Sequence, residues 1–367
     1  MLTVSKDKNM DNGSKKERTV FSRIVKYLII GISSVIVLLL VFAFWIYLAL
    51  FSGPGSMEIN DYHPFRSEKA KAEYLDFEDN MTKMWPIVSE EKIVETSFGK
   101  TFIRISGPIN APPLVLLPGG GTNSIIWHAN IKALSDNYRT YALDNIYDYG
   151  RSVYTREMKN GADCANWLNE LFDALQLGND IRIMGYSYGG WVTSQYALYH
   201  PERLSHIVLI APVFTVIPLS TDYIFRMLAS IIPVRHFKSE IMYWCWSDLA
   251  KTGDIGKQLI ENRIDHYETA LKTFKFKQPV NPTVLTDSEF RKIEVPTLFV
   301  VGDHETIYSA DSAVSRINKL NPKIKTEIIS GTGHDVMFTH TDILNQMLLD
   351  FFITNEDDKI YLNKDLR

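Results

Sequence analysis

From Tyr27 to Phe51 no charged side chain interrupts the apolar pattern, and about 25 residues at 1.5 Å each make roughly 37 Å of helix, enough to cross a bilayer core of roughly 30 Å. Phe42, Phe44, Trp45, Tyr47 and Phe51 crowd its far end, as interfacial anchors do. The run is longer than the apolar part of a cleaved signal peptide and polar on no face, so it predicts a membrane-spanning helix over 27–51. Ser52, Gly53, Pro54, Gly55 and Ser56 break the pattern. Between Ser67 and Trp85, Ala70, Tyr74, Phe77, Met81 and Met84 recur at helical spacing before Pro86 stops them, predicting a helix that packs on the body that follows.

Two strand-like runs come next, Lys92 to Ser97 and Thr101 to Ser106, with a hairpin turn expected at Gly99 and Lys100. Beyond them near-continuous apolar strands alternate with helical patterns: Leu114–Leu117, Arg139–Asp144, Ile181–Gly185, His206–Ile210, Thr297–Val301 and Lys325–Ser330. Such strands are buried on both faces, which predicts an α/β fold with a mainly parallel eight-stranded sheet and helices on both sides. The rhythm stops between Val213 and Phe290, where three helical stripes predict a cap of about 213–290 inserted after the sixth strand. Most of those stripes read as packing. Tyr223, Phe225, Met227, Trp244 and Trp246 are the cap residues expected to line a substrate pocket.

Charge divides the chain further. Residues 1–26 hold a local charge of about +4 against −4 for the whole, which leaves roughly −8 for the remainder. Basic residues before the span predict a cytoplasmic N-terminus and an extracytoplasmic body. The expected organisation is a basic tail over 1–26, the span over 27–51, a linker and packing helix over 52–91, the main domain over 92–353 and a polar tail over 354–367. No basic surface of the nucleic-acid-binding kind is expected. Cys164 and Cys245 lack metal-site spacing and read as small buried residues, a disulfide between them being the alternative. No metal and no organic cofactor is expected.

The chemistry concentrates at the strand ends. Gly185, Tyr186, Ser187, Tyr188 and Gly189 form GxSxG between an apolar strand and a helical stretch, a tight turn that lifts Ser187 clear of the sheet. The helix that follows aims its first N–H groups at the same point. A serine hydroxyl is a weak nucleophile and needs a base, which needs an acid to fix its tautomer. Later loops offer both: Gly302, Asp303, His304 and Glu305, then Gly331, Thr332, Gly333, His334 and Asp335. Of the nine histidines only His334 stands in a glycine-rich turn beyond a strand.

In this order, GYSYG at 185–189, GDHE at 302–305 and GTGHD at 331–335 resemble the nucleophile, acid and histidine loops of the α/β-hydrolase family, over about residues 92–353. The resemblance implies Ser187, Glu305 and His334 as a catalytic triad, Asp303 being the alternative acid. It also implies an oxyanion loop at Leu117–Thr122, with N–H donors from Gly120 and Tyr188 and Gly121 in reserve. Pro118 stands where the family usually has histidine. Asp144, Asp148, Gly150 and Ser152 resemble a structural turn of the family. Dehalogenases and epoxide hydrolases carry aspartate at the elbow, so serine implies acyl transfer. The expectation is a membrane-anchored esterase acting on small or lipid-like esters. Cleavage of a C–C bond or an amide by the same triad, or a non-catalytic binding ectodomain, are the competing readings. Oligomeric state is not legible.

Overall fold

The computed structural model describes residues 64–353 except 233 and 276–279, together with residues 23, 25–28, 30–34 and 37, all of them helical. The tails, the linker before 64 and most of the charge-free run 27–51 lie outside the described residues. Among the described residues no helix is long and apolar enough to cross a membrane.

Among the described residues nine strands build one sheet: β1 Glu90–Thr96, β2 Gly99–Ser106, β3 Pro113–Leu117, β4 Arg139–Leu143, β5 Val153–Tyr154, β6 Ile181–Tyr186, β7 Leu204–Ile210, β8 Thr297–Gly302 and β9 Lys325–Ile329. They lie in the order β1-β2-β4-β3-β6-β7-β8-β9, with β5 paired to β2. β1, β2 and β5 run antiparallel to their partners, and from β4 through β3 to β9 every pairing is parallel. The side chains of Leu114–Leu117, Ile183, Ile207–Ile210 and Leu298–Val301 are buried, as a sheet covered on both faces requires. The eight expected strands are all present. The ninth, β5, is two residues long and leaves no alternation to read.

The hairpin turn is displaced from its expected place. Thr96 pairs with Gly99, so the turn residues are Ser97 and Phe98. Ser97 is held by Glu170, which accepts from both its N–H and its hydroxyl at 2.7 Å. Gly99 belongs to the strand because β5 runs so close that a Cβ there would lie 2.2 Å from the Val153 carbonyl oxygen.

Between β7 and β8 the described residues hold the helices Thr221–Ser230, Arg235–Cys245, Ser247–Lys251 and Asp254–Thr273, which form the expected cap, and then the short helix Asp287–Lys292. The helix Glu68–Thr82 is capped by Ser67, whose hydroxyl accepts from the Ala70 N–H at 3.1 Å. It packs against the long cap helix: Phe65, Tyr74, Ala270 and Phe274 form a separate apolar cluster. Cys164 and Cys245 are both free and buried.

On the buried side of the helix Glu68–Thr82 its own Glu78 is fully buried, 3.2 Å from Arg151 and 3.6 Å from Arg104. Burial, aided by Asp144 and opposed by the two guanidinium groups, pushes its carboxyl up to about 8. A carboxyl raised on folding binds more protons folded than unfolded, so its stabilising contribution is complete below the ordinary carboxylate range and is lost as pH rises toward 8. Thermal melts at pH 5 and pH 8 are expected to differ less in Glu78→Gln than in the wild type. An unchanged difference would show Glu78 ionised throughout.

Candidate active site

Ser187 sits at the junction of β6 and the helix Tyr188–Tyr199 with φ 53° and ψ −116°, a left-handed conformation that a non-glycine residue holds only under constraint. Its N–H is bonded to the Ile210 carbonyl on β7 at 2.9 Å, which pins the turn to the sheet. The two glycines of the motif clear different neighbours. A Cβ on Gly185 would stand 2.2 Å from the Gly189 carbonyl oxygen, whereas one on Gly189 would meet the Leu117 and Pro118 carbonyl oxygens at 2.4 and 2.6 Å. The second glycine therefore makes room for the end of β3. Because both obstacles at 189 are backbone, Gly189→Ala is expected to cost about 1–3 kcal/mol in a denaturant titration. Gly120→Ala, whose new Cβ meets only the Tyr188 Cβ at 3.6 Å, should stay within about 0.5 kcal/mol.

The loops after β8 and β9 meet above the serine. His334 Nδ1 lies 2.8 Å from Glu305 Oε2, and His334 Nε2 lies 3.1 Å from Ser187 Oγ. With its Nδ1 proton donated to the carboxylate, the imidazole presents Nε2 as acceptor to the serine hydroxyl. The Glu305 side chain is wholly buried, and its other oxygen accepts from the Ile307 N–H at 2.9 Å. Asp303 is engaged elsewhere, accepting from the Ser330 hydroxyl at 2.7 Å and the Gly331 N–H at 2.8 Å. Tyr186 donates to the His334 carbonyl at 2.8 Å.

The cap is tied to the same loops. Asp335 accepts from the Leu249 N–H at 2.7 Å, and Asp248 lies 3.1 Å from His304 Nδ1, so the short cap helix Ser247–Lys251 hangs from the loops that carry Glu305 and His334.

On the other side of the serine, Gly119 packs against it: a Cβ there would stand 3.0 Å from the Tyr186 ring and 3.2 Å from the Ser187 Cβ. Tyr188 is the first residue of its helix, so its N–H is one of the donors that a helix cannot satisfy internally. The reserve donor is already committed, since the Gly121 N–H donates to Asp148 Oδ2 at 2.7 Å. Asp144 and Asp148, expected to be structural, part ways here. Asp144 accepts from the Ser124 and Arg151 N–H groups at 2.8 Å, which closes the turn, while Asp148 reaches the glycine loop.

The five expected pocket residues scatter. Trp246 is buried, its ring 5.0 Å from that of Phe338, and it lines a cleft between the cap and the body. Tyr223 is half-buried, its phenol pushed up by burial and then by Cys245, Tyr267 and Glu305. Met227 is also half-buried and packs on the core. Trp244 packs within the cap, the Arg226 guanidinium standing 4.9 Å from its ring centre. Phe225 faces solvent and is 71% exposed, because the helix Thr221–Ser230 turns that side outward. The cleft takes much of its lining from residues that were not expected to face a pocket: Met81 and Met84 at and just beyond the end of the helix Glu68–Thr82, Ile125 and Ile126 after the glycine loop, and Arg263 of the long cap helix. Among the described residues no cluster of ligating side chains could hold a metal.

Known proteins resemble this chain in sequence and in fold. Residues 112–230 match the profile of the alpha/beta hydrolase fold. Carboxylesterase YbfK of Bacillus subtilis is 33% identical over 293 residues, which span 80% of this chain and 98% of that protein. A second B. subtilis protein, described as the uncharacterized carboxylesterase nap, is 30% identical over 289 residues, 79% of this chain and 95% of that one. The crystal structure of naproxen esterase from B. subtilis superposes with a TM-score of 0.71 at 28% identity, covering 81% of this chain and all of that one.

Proposed function

The chain belongs to the alpha/beta hydrolase family as an ester-cleaving serine hydrolase, and from there we propose that it works through Ser187, His334 and Glu305 by way of an acyl-enzyme. The observation that carries the reading is the unbroken run from Glu305 Oε2 through the His334 ring to Ser187 Oγ, with contacts of 2.8 and 3.1 Å. His334 Nε2 takes the hydroxyl proton as Ser187 Oγ bonds to the ester carbonyl carbon. The negative oxygen that forms is held by the N–H groups of Gly120 and Tyr188. As the C–O bond breaks, the proton passes from His334 to the departing alcohol. Water then gives its proton to the same nitrogen, attacks the acyl carbon, and frees the acid and Ser187. Glu305 accepts the hydrogen bond from the Nδ1–H throughout, without taking the proton, and stabilises the imidazolium.

The carboxylesterase relatives support a small or lipid-like ester as substrate; the apolar cleft around Trp246, Met81 and Met84 is lined by none of Ser187, Glu305 and His334. A panel of nitrophenyl esters of two to twelve carbons, run beside an anilide and a vinylogous diketone, tests the bond type. Turnover of the esters is expected. Preference for the diketone would favour C–C cleavage by the same residues.

The charge-free run 27–51, preceded by basic residues, supports a single membrane anchor with a cytoplasmic N-terminus. Protease added to intact cells is expected to release the catalytic body. Full protection would reverse the orientation, and recovery of the intact chain from the soluble fraction would remove the anchor.

A further inference from the structure

The loop expected to bind the oxyanion is Gly119–Gly120–Gly121, and three glycines in succession have little rigidity of their own. An oxyanion donor must nonetheless be fixed before the charge appears, since reorienting it during the reaction would forfeit most of its benefit. On its N-terminal side the loop is steadied by β3 and by the close contact of Gly119 with Tyr186 and Ser187. On its C-terminal side the Gly120–Gly121 peptide is bonded at both ends. Its carbonyl accepts from Arg263 Nη2 at 3.2 Å, and its N–H donates to Asp148 Oδ2 at 2.7 Å. A trans peptide points its carbonyl and its N–H to opposite sides, so this one faces the cap with its oxygen and the body with its nitrogen, and the chain then turns at Gly121, whose φ is 67°.

Resting on the acyl-transfer reading above, we propose that Arg263 and Asp148 are positioning residues which clamp the Gly120–Gly121 peptide and so hold the preceding Gly120 N–H toward the substrate oxygen. The two come from distant parts of the chain. Asp148 follows β4, and Arg263 lies in the cap helix Asp254–Thr273 on the side of the buried Ile260 and Ile264.

Arg263 is itself held. Its Nη1 donates to His266 Nδ1 at 3.2 Å, since a guanidinium can only donate, and His266 Nε2 lies 3.0 Å from the Tyr74 oxygen and 3.5 Å from Asn123 Nδ2. Burial, and after it the Arg263 charge, hold the His266 ring down to about 3, so this chain of bonds does not change across the pH range of ester hydrolysis. Tyr74 stands on the helix Glu68–Thr82, outside the residues that match the family profile. That helix thus completes a support running from Tyr74 through His266 and Arg263 to the oxyanion loop.

The test uses the full-length chain in detergent, one nitrophenyl ester, and a trifluoromethyl ketone whose hemiketal oxygen on Ser187 would take the oxyanion position. Arg263→Gln is expected to lower kcat about ten- to a hundredfold, less than removal of an oxyanion donor itself, while KM changes by less than about threefold. Affinity for the trifluoromethyl ketone should fall by the same factor as kcat, and Arg263→Lys, which keeps a donor, should recover part of both. Asp148→Asn retains an acceptor oxygen and is expected to lose less than Asp148→Ala. Should Arg263→Gln fold poorly, Tyr74→Phe removes a single hydroxyl and is expected to lower kcat about two- to fivefold with KM unchanged.

A rise in KM at constant kcat on Arg263→Gln would mean that the guanidinium holds substrate, and no change in kcat or ketone affinity would mean that the loop needs no clamp. Either overturns the proposal while wild-type turnover leaves the serine hydrolase intact. Absence of wild-type turnover would remove both.

Discussion

Ser187→Ala is expected to lower kcat on esters by about a million-fold, leaving only what binding and the oxyanion donors contribute over water. The size of the effect follows from the geometry. The Oγ is the atom that forms the new bond, it lies 3.1 Å from the nitrogen that takes its proton, and no other hydroxyl in the described structure is bonded to His334. Stability should barely change, since the serine side chain makes no other hydrogen bond; stopped-assay kinetics and a thermal melt on the same preparation separate the two effects. If the variant kept more than about a thousandth of the wild-type rate, another nucleophile or a directly activated water would have to carry the reaction.

Glu305→Gln is expected to lower kcat by about ten-thousand-fold, the scale seen when the acid of a triad becomes an amide. An amide in the buried position of Glu305 can present its NH2 group to His334 Nδ1, which favours the tautomer whose Nε2 carries the proton and cannot act as base. Asp303→Asn should stay within about threefold, because its carboxylate serves the Ser330 hydroxyl and the Gly331 N–H rather than the imidazole. Steady-state kinetics on the pair decide the matter, and the reverse ranking would identify Asp303 as the acid.

These residues were legible because the chemistry constrains the backbone that carries them. A nucleophile at the tip of a strand–helix turn needs small residues on both sides, and Gly185 and Gly189 advertise that turn. His334 follows Gly331 and Gly333 for a related reason: a Cβ on Gly333 would meet the His304 carbonyl oxygen at 2.9 Å. The strands could be read because β3, β6, β7 and β8 are apolar on both faces.

The cap resisted the same treatment. An aromatic residue on an amphipathic helix has the same spacing whether it faces a pocket, a neighbouring helix or water. Trp246 lines the cleft, Trp244 lies beside Arg226 and Phe225 meets solvent, yet all three come from the same 22 residues of sequence. The residues missed here carried a different signal. Arg263 falls among Leu259, Ile260, Ile264 and Tyr267, a charge on the apolar stripe of a helix, and such a charge must find a partner in the interior. Its partner is a carbonyl of the glycine loop, more than a hundred residues earlier. Asp148 passed for a turn residue because it falls in a run that resembles a structural turn of the family, and Gly121 for a spare donor because its engagement with Asp148 depends on a tertiary contact.

The most direct measurement is intact-protein mass spectrometry of the full-length chain, quenched in acid within the first turnovers on a slowly deacylated ester, followed by peptide mapping. An added mass equal to one acyl group, located on Ser187 and absent from Ser187→Ala, is the predicted result. Hydrolysis that proceeds with no acyl group on the protein, or with one on a different residue, would contradict it.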